Sequence, residues 1–325
     1  MARPFPNYEP VGVVPAALLP FTPDLEIDEP TLRRHIGDIA ATEGISSILV
    51  GGVAQEGNAL TADEHARIID IMASEVGDRV PLMHGIVAEG GRDAAVKARE
   101  ADRAGASCLL VFPPSQFARG SQARPDMVIA HYQAIADATD LPLLVFQYEM
   151  STGQGHALDT LVRLVETVPS VRAIKDRCNH PVMHEQTIRA MQSMKRPVHV
   201  LTTHSAWLLS SLVLGCNGML SGAGSVFAAD HVALWNAVQK NDLATARAIS
   251  DRLYDLNACF YKSPILDMFT RMKEALVLQG RFPSAAVRLP WLPVAQAERD
   301  AIGAALEKAG LLGLSNTNPK EETVR

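Results

Sequence analysis

One lysine in this chain stands where an amine could react. Lys175 closes the apolar run VRAIKD (171–176), and it is the only lysine at the end of any apolar run. Side chains alternate along a strand, so Val171, Ala173 and Lys175 share one face. Ala173 is small, as a crowded interior requires. An ammonium pointing into an apolar surround loses hydration, which favours the neutral amine and lowers its pKa. A neutral amine near pH 7 can attack a ketone and form an imine. The bland reading is a structural lysine paired with a carboxylate such as Asp176 or Glu56. Arg172, of opposite parity, is predicted to face outward and to reach its charge toward water.

The elements that must position this lysine follow from the apolar pattern. Eight short runs with few charges read as buried strands: 12–21, 46–50, 80–86, 107–113, 142–148, 171–176, 198–204 and 218–224. Amphipathic stretches lie between them. Thr61 and Glu64 form a capping-box pair at the start of one, in which Ala66, Ile69, Met72 and Ala73 recur at helical spacing. A second places Ala94, Ala98, Ala101 and Ala104 on one face, and a third does so with Val232, Trp235 and Val238. Eight strands alternating with eight helices predict an α/β fold, a (β/α)8 TIM barrel over 12–242. The competing open, doubly wound sheet usually shows a GxGxxG turn after its first strand, and PFTPDLEID contains no glycine. An N-terminal arm is expected over 1–11, a C-terminal helical extension over 243–312 (helices at 243–258, about 263–279 and 295–309), and a polar, disordered tail over 313–325.

Composition narrows the function class. The 325 residues are 47% hydrophobic with a net charge of −6, and no basic stripe invites nucleic acid. No run approaches the length of a membrane span, and the first residues lack the apolar core of a secretory signal. Cys108, Cys178, Cys216 and Cys259 are scattered, with no CxxC pair, so neither a zinc site nor a disulfide framework is expected. Cys108 and Cys216 read as small core residues. A cytoplasmic protein acting on a small molecule, without metal or other cofactor, is the expectation.

In such barrels the site lies at the C-terminal ends of the strands. That rule draws attention to Gly52, Val53 and Ala54 after the second strand and to His84 on the third. It adds Phe146 and Tyr148 on the fifth, His204 after the seventh, and Ser221 and Gly222 on the eighth. A metal-dependent hydrolase using His84, His204 and Asp176 is weaker, because no HxH pair is present.

Several segments, in order, resemble the dihydrodipicolinate synthase and N-acetylneuraminate lyase family of Schiff-base barrels. GVVPAALLPFTPDLEID resembles its opening strand and turn, and GGVAQEGNALTADEH its GTTGE segment. PLLVFQYEMSTG resembles YNxPxxTG, VRAIKD the GIKD/E segment that carries the imine-forming lysine, and GCNGMLSGAGSVF the eighth-strand segment. RLPWLP and a final helix resemble the family's ending. The resemblance spans about residues 12–311. It implies an imine between Lys175 and pyruvate or another 2-oxo acid, in an aldolase or dehydratase that forms a homotetramer, a dimer of dimers.

The departures carry as much information. The tyrosine that shuttles protons in the family falls on Phe146, which has no hydroxyl. Tyr148 shares its face about 6.6 Å further along, where it could supply the hydroxyl from higher in the mouth or equally serve as an aromatic lid over the barrel. The family's two threonines fall on Val53 and Ala54, so only backbone N–H groups of the Gly52–Gln55 turn could hold a carboxylate there. The family's arginine falls on Ser151 and its lent tyrosine within Pro114–Ser115. These losses argue against dihydrodipicolinate synthase activity itself and for a pocket less tuned to dicarboxylates. They also raise an alternative in which a repurposed barrel only binds a metabolite. Glu56 matches a glutamate read as structural. His84 and His204 are further proton-carrying candidates. Gln55 and Gln147 could orient a polar substrate, although Gln147 has the wrong parity to face inward.

Overall fold

The computed structural model of the protein describes residues 3–312. The tail expected over 313–325 and the first two residues of the arm lie outside the described residues. Strands and helices alternate as β1 (Gly12–Pro15), α1 (Glu29–Ala40), β2 (Ile48–Val50), α2 (Ala62–Val76), β3 (Leu82–Ile86), α3 (Gly91–Arg103), β4 (Cys108–Val111) and α4 (Pro125–Ala136). The second half continues with β5 (Leu143–Gln147), α5 (Leu158–Thr167), β6 (Val171–Asp176), α6 (Pro181–Gln192), β7 (His199–Thr202), α7 (Leu208–Val213), β8 (Gly218–Ser221) and α8 (Gly224–Gln239). All strand pairs are parallel, in the order β1-β8-β7-β6-β5-β4-β3-β2. Bridges between Val13 and Ile45 and between Ala16 and Leu49 bring β1 back to β2, so the sheet closes as a (β/α)8 barrel.

Register decides which side chains enter the barrel. Phe146, Lys175, Leu201 and Gly218 stand side by side on β5 to β8 and form one interior layer. A Cβ on Gly218 would come within 2.2 Å of the Gly12 carbonyl oxygen, so only glycine lets β8 pass β1 this closely. The opposite parity faces the helices. Ile48, Val50 and Leu82 pack there with Ile36, Ile68 and Met72.

The helices form for local reasons that the sequence carries. Thr61 accepts from the Glu64 N–H while the Glu64 carboxylate accepts from the Thr61 N–H, which completes the capping box at α2. The buried face of α2 is Ile68, Ile71, Met72 and Val76. It is not the face through Ala66, which is exposed. The larger side chains bury more apolar area, so they win the inward orientation. Ala94, Ala98 and Ala101 of α3 are buried as expected, whereas Ala104 ends the helix half-buried. Val232 of α8 is buried, with Trp235 and Val238 half-buried beside it.

Three further helices follow: α9 (Leu243–Tyr261), α10 (Met268–Leu278) and α11 (Gln296–Lys308). The first runs three residues past its expected end, and α10 starts late, after a short 3-10 turn at Ile265–Asp267. The fully buried Arg271 ties them together, donating to the carbonyls of Lys262 and Pro264 at 2.8 and 3.0 Å and pairing with Glu298 at 3.0 Å. Helix α10 also reaches the barrel mouth. A Cβ on Gly222 would lie 3.0 Å from the Phe269 ring and 3.1 Å from the Met272 sulfur.

The N-terminal arm lies across the opposite end of the barrel. Arg3 pairs with Asp102 and Asp140, and the Tyr8 hydroxyl bonds to Ser47 at 2.8 Å. Arg172 does face outward, and Glu9 of the arm approaches it at 3.7 Å.

Candidate active site

A cavity of about 380 Å³ opens at the C-terminal ends of the strands, with Lys175 in its wall. The lysine gets there because β6 presents alternate side chains inward and ends one residue later, at Asp176, so its stem lies in the last packed layer. Lys175 is 8% exposed. Its Nζ sits 4.6 Å from the centroid of the Phe146 ring. Phe112 stacks on Phe146 at 4.8 Å, and Tyr148 lies against it at 4.3 Å. Among the described residues no carboxylate pairs with Lys175.

Both proposed structural partners are engaged elsewhere. Asp176 has the outward parity, accepts from the Cys178 N–H at 2.8 Å and bonds to His184 Nδ1 at 2.8 Å. Glu56 forms an ion pair with the fully buried Lys273 of α10 and accepts from the Arg288 N–H at 3.0 Å. Burial, aided by the charge of Arg177, draws the Lys175 amine down to about 7. A substantial fraction is therefore a free base near neutrality, as nucleophilic attack on a carbonyl needs.

The cavity brings together Lys175, Phe146, Tyr148, Val53, Ala54, His204 and Gly222. Val53 and Ala54 open a 3-10 turn, Val53–Gln55, whose first N–H groups have no acceptor within the turn. The Glu56 backbone ends that turn at φ 53°, a left-handed conformation unusual for a side chain other than glycine. Its ion pair and its bond from Arg288 hold it there. Tyr148 keeps its hydroxyl without a hydrogen bond among the described residues, and burial raises the phenol pKa.

Three expected positions are not in the cavity wall. His84 has the parity of Val50 and Leu109, with which it is in register, so its ring turns toward the helices. It is buried without a hydrogen-bond partner among the described residues, and burial draws it down to about 4, which keeps it neutral. Ser221 also has outward parity and bonds to Ser205 at 3.0 Å and Tyr261 at 3.1 Å, both of which do line the cavity. Gly52 stands behind its successors, with its carbonyl accepting from the Gln55 N–H at 3.0 Å. The glutamines turn away too. Gln55 accepts from the Gly51 N–H at 2.6 Å, and Gln147 bonds twice to the His156 backbone, at 2.8 and 2.9 Å.

His204 lies in the wall with both ring nitrogens occupied. Nε2 accepts from the Asn179 N–H at 3.1 Å, so Nδ1 carries the proton and donates to Thr202 Oγ1 at 3.0 Å. Trp207 stacks on the ring at 4.2 Å. Burial draws His204 down to about 4 against the pull of Asp176, so it does not titrate near neutrality as an unperturbed histidine would. Asp176, Cys178 and His204 bring three metal-type donor atoms within 4.8 Å of one another. Asp176 and His204 spend theirs on backbone N–H groups and His184, the Cys178 thiol donates to the His180 carbonyl at 3.5 Å, and burial pushes that thiol up, which suits a hydrogen-bonded wall better than a metal site.

Other wall residues were not expected. Arg177 and Glu149 face each other across the mouth, with Nε to Oε1 at 3.6 Å. Arg177 lies two residues beyond Lys175, so parity alone could have found it. Tyr261 and Phe269 come from the C-terminal helices, and no pattern in the strands points to them.

The model of the dihydrodipicolinate synthetase family matches residues 9–309. The chain belongs to that family. It is a lyase of the dihydrodipicolinate synthetase family, built on the family's barrel. A 4-hydroxy-tetrahydrodipicolinate synthase of Sphingopyxis alaskensis is 30% identical over 305 residues, 93% of this chain and 99% of that protein. The enzyme of the same name from Acidobacterium capsulatum is 31% identical over 313 residues, 95% and 97% of the two chains. A solved family member, a prophage protein of E. coli K12 in complex with pyruvate, superposes with a TM-score of 0.84 at 23% identity, covering 93% of this chain and 99% of that one. Among the described residues no helix is long and apolar enough to cross a membrane.

Proposed function

We propose that this protein is a Schiff-base-forming lyase, an aldolase or dehydratase, that acts on pyruvate or a sugar-derived 2-oxo acid through Lys175. The observation that carries the reading is a buried amine in the cavity wall with no carboxylate partner among the described residues, drawn by burial down to about 7. The free amine attacks the 2-oxo carbon and water leaves to give an iminium, which draws in the electrons of the C3–C4 bond as C4 departs as an aldehyde (aldol cleavage), or those of a C3–H bond as a base takes the proton, after which the C4 hydroxyl leaves as water (dehydration). The N–H groups of Val53 and Ala54, which have no acceptor within their 3-10 turn, suit the 2-oxo acid's carboxylate, with Gly222 and His204 completing the pocket wall. Tyr148, whose hydroxyl has no protein partner among the described residues, is the proton carrier in place of the tyrosine replaced by Phe146.

The same replacements argue that the reaction is not the one named for the curated relatives. Phe146 has no hydroxyl, Val53 and Ala54 have no side-chain donors, and Ser151 stands where an arginine is expected. A homotetramer in the cytoplasm is the proposed state, in keeping with the family resemblance and with four free cysteines. Borohydride reduction with pyruvate and a panel of sugar-derived 2-oxo acids, followed by peptide mass mapping, tests the reading. It predicts an adduct on Lys175, and no adduct with any of them would discard it.

A further inference from the structure

The cavity holds a second cation whose donors are unspent. Arg177 follows Lys175 by two residues on the inward face, and its backbone N–H stays bonded to the Gln147 carbonyl at 2.9 Å, which fixes its stem just beyond the end of β6. Its side chain lines the same cavity as Lys175 and is 23% exposed. Yet the guanidinium makes no hydrogen bond among the described residues. Its one ion-pair partner among the described residues is Glu149, at 3.6 Å, too far for a hydrogen bond. The contrast with Arg288 is sharp, since that guanidinium donates to the Leu25 and Ala59 carbonyls and to both Glu64 oxygens. None of its guanidinium nitrogens is sealed from the cavity, so a planar fork of five N–H groups stands open there to take a ligand.

The spacing says what that ligand is. Two residues along a strand separate the stems of Lys175 and Arg177 by about 6.6 Å. A 2-oxo acid held as an imine on Lys175, with its first carboxylate on the Val53–Ala54 turn, extends its remaining carbons toward the mouth, where Arg177 stands. A planar guanidinium matches a carboxylate in two parallel hydrogen bonds. Glu149 balances the charge when the pocket is empty and is the contact that an incoming carboxylate replaces.

We propose that Arg177 receives a second carboxylate of the substrate, so that this lyase acts on a dicarboxylic 2-oxo acid. The inference rests on the Schiff-base reading, and it names an anion subsite supplied by β6. The missing arginine at Ser151 therefore does not empty the mouth of positive charge, contrary to the expectation of a pocket less tuned to dicarboxylates.

The test is borohydride trapping with 2-oxoglutarate and 2-oxopentanoate, which differ mainly at the far end, in the wild type, Arg177→Gln and Arg177→Lys, with pyruvate as the common reference. Wild type is expected to be half-labelled at about 10–100-fold lower 2-oxoglutarate than 2-oxopentanoate. Arg177→Gln is expected to lose that preference, and Arg177→Lys to keep part of it, because the charge remains while the fork is lost. The ratio between the two acids cancels any change in the reactivity of Lys175, and pyruvate labelling reports that each variant is folded. A pyruvate adduct without a wild-type preference for the diacid, or a preference that survives Arg177→Gln, overturns the subsite. Absence of every adduct on Lys175, pyruvate included, overturns the Schiff-base reading and the subsite with it.

Discussion

Among the described residues two buried lysines sit over phenylalanine rings, and only one of them has a carboxylate partner. Lys175 Nζ is 4.6 Å from the Phe146 ring, and Lys273 Nζ is 4.5 Å from the Phe21 ring. Burial lowers both, Lys175 to about 7 and Lys273 to about 8, and Glu56 opposes the fall at Lys273. Lys273 also donates to the Ala286 carbonyl at 2.9 Å and has no free surface. Lys175 opens onto a cavity and makes no such bond among the described residues. The same residue type in the same kind of apolar setting is thus a clamp where partners saturate it and, in the proposed reaction, a nucleophile where they do not. Desolvation alone makes neither. What separates the two is whether a polar partner or an empty volume lies beyond the amine.

The largest expected effect is at Lys175 itself. Lys175→Met should abolish trapping by every 2-oxo acid and, with it, turnover, read by mass mapping and by product assay. The same variant should be more stable than the wild type. The folded amine is depressed from its usual 10.5, so the native state binds fewer protons than the unfolded one between about pH 7 and 10.5. Stability therefore rises with pH across that window, and the charged lysine costs most below it. The gain from Lys175→Met is at most about 5 kcal/mol at or below pH 7 and vanishes toward pH 10.5. Denaturant melts at several pH values read it, and a gain that does not vary with pH would break the contrast.

Tyr148→Phe comes next. If Tyr148 moves the proton, turnover should fall about 10²–10⁴-fold while the adduct on Lys175 still forms. The corresponding change at Tyr261, whose hydroxyl is bonded to Ser221, should do less, and the reverse order would move the proton carrier to Tyr261.

Lys273→Met should leave the imine chemistry on Lys175 possible but cost about 3–5 kcal/mol, because Glu56 is then buried without its partner. Adding Glu56→Gln should recover much of that loss in a double-mutant cycle. If Lys273→Met alone proved neutral in denaturant melts, the clamp half of the comparison would fail. Phe21→Leu is the mildest change and should cost about 0.5–2 kcal/mol through the lost cation–π contact and packing.

Much of the barrel was legible because its strands are short, nearly uncharged runs between amphipathic helices with readable caps such as Thr61 and Glu64. Lys175 was legible for the same reason, since a charge closing an apolar run is conspicuous. The errors came from reading strand ends by position alone. His84 and Ser221 are near such ends, but register gives both the outward parity, so they face helices or a hydroxyl cluster. The parity argument that excluded Gln147 could have excluded them, and would have found Arg177. Tyr261 and Phe269 were beyond reach, since they enter the mouth from α9 and the start of α10, whose docking depends on contacts far apart in sequence. Lys273 was missed because its partner, Glu56, lies more than two hundred residues away.

The most direct measurement follows both lysines at once: reductive trapping with pyruvate from pH 5 to 9, with adducts on Lys175 and Lys273 quantified in the same digests. The account predicts label on Lys175 alone, rising with a midpoint near pH 7. Label on Lys273, a midpoint near that of an ordinary lysine, or no label on Lys175 at any pH would contradict it.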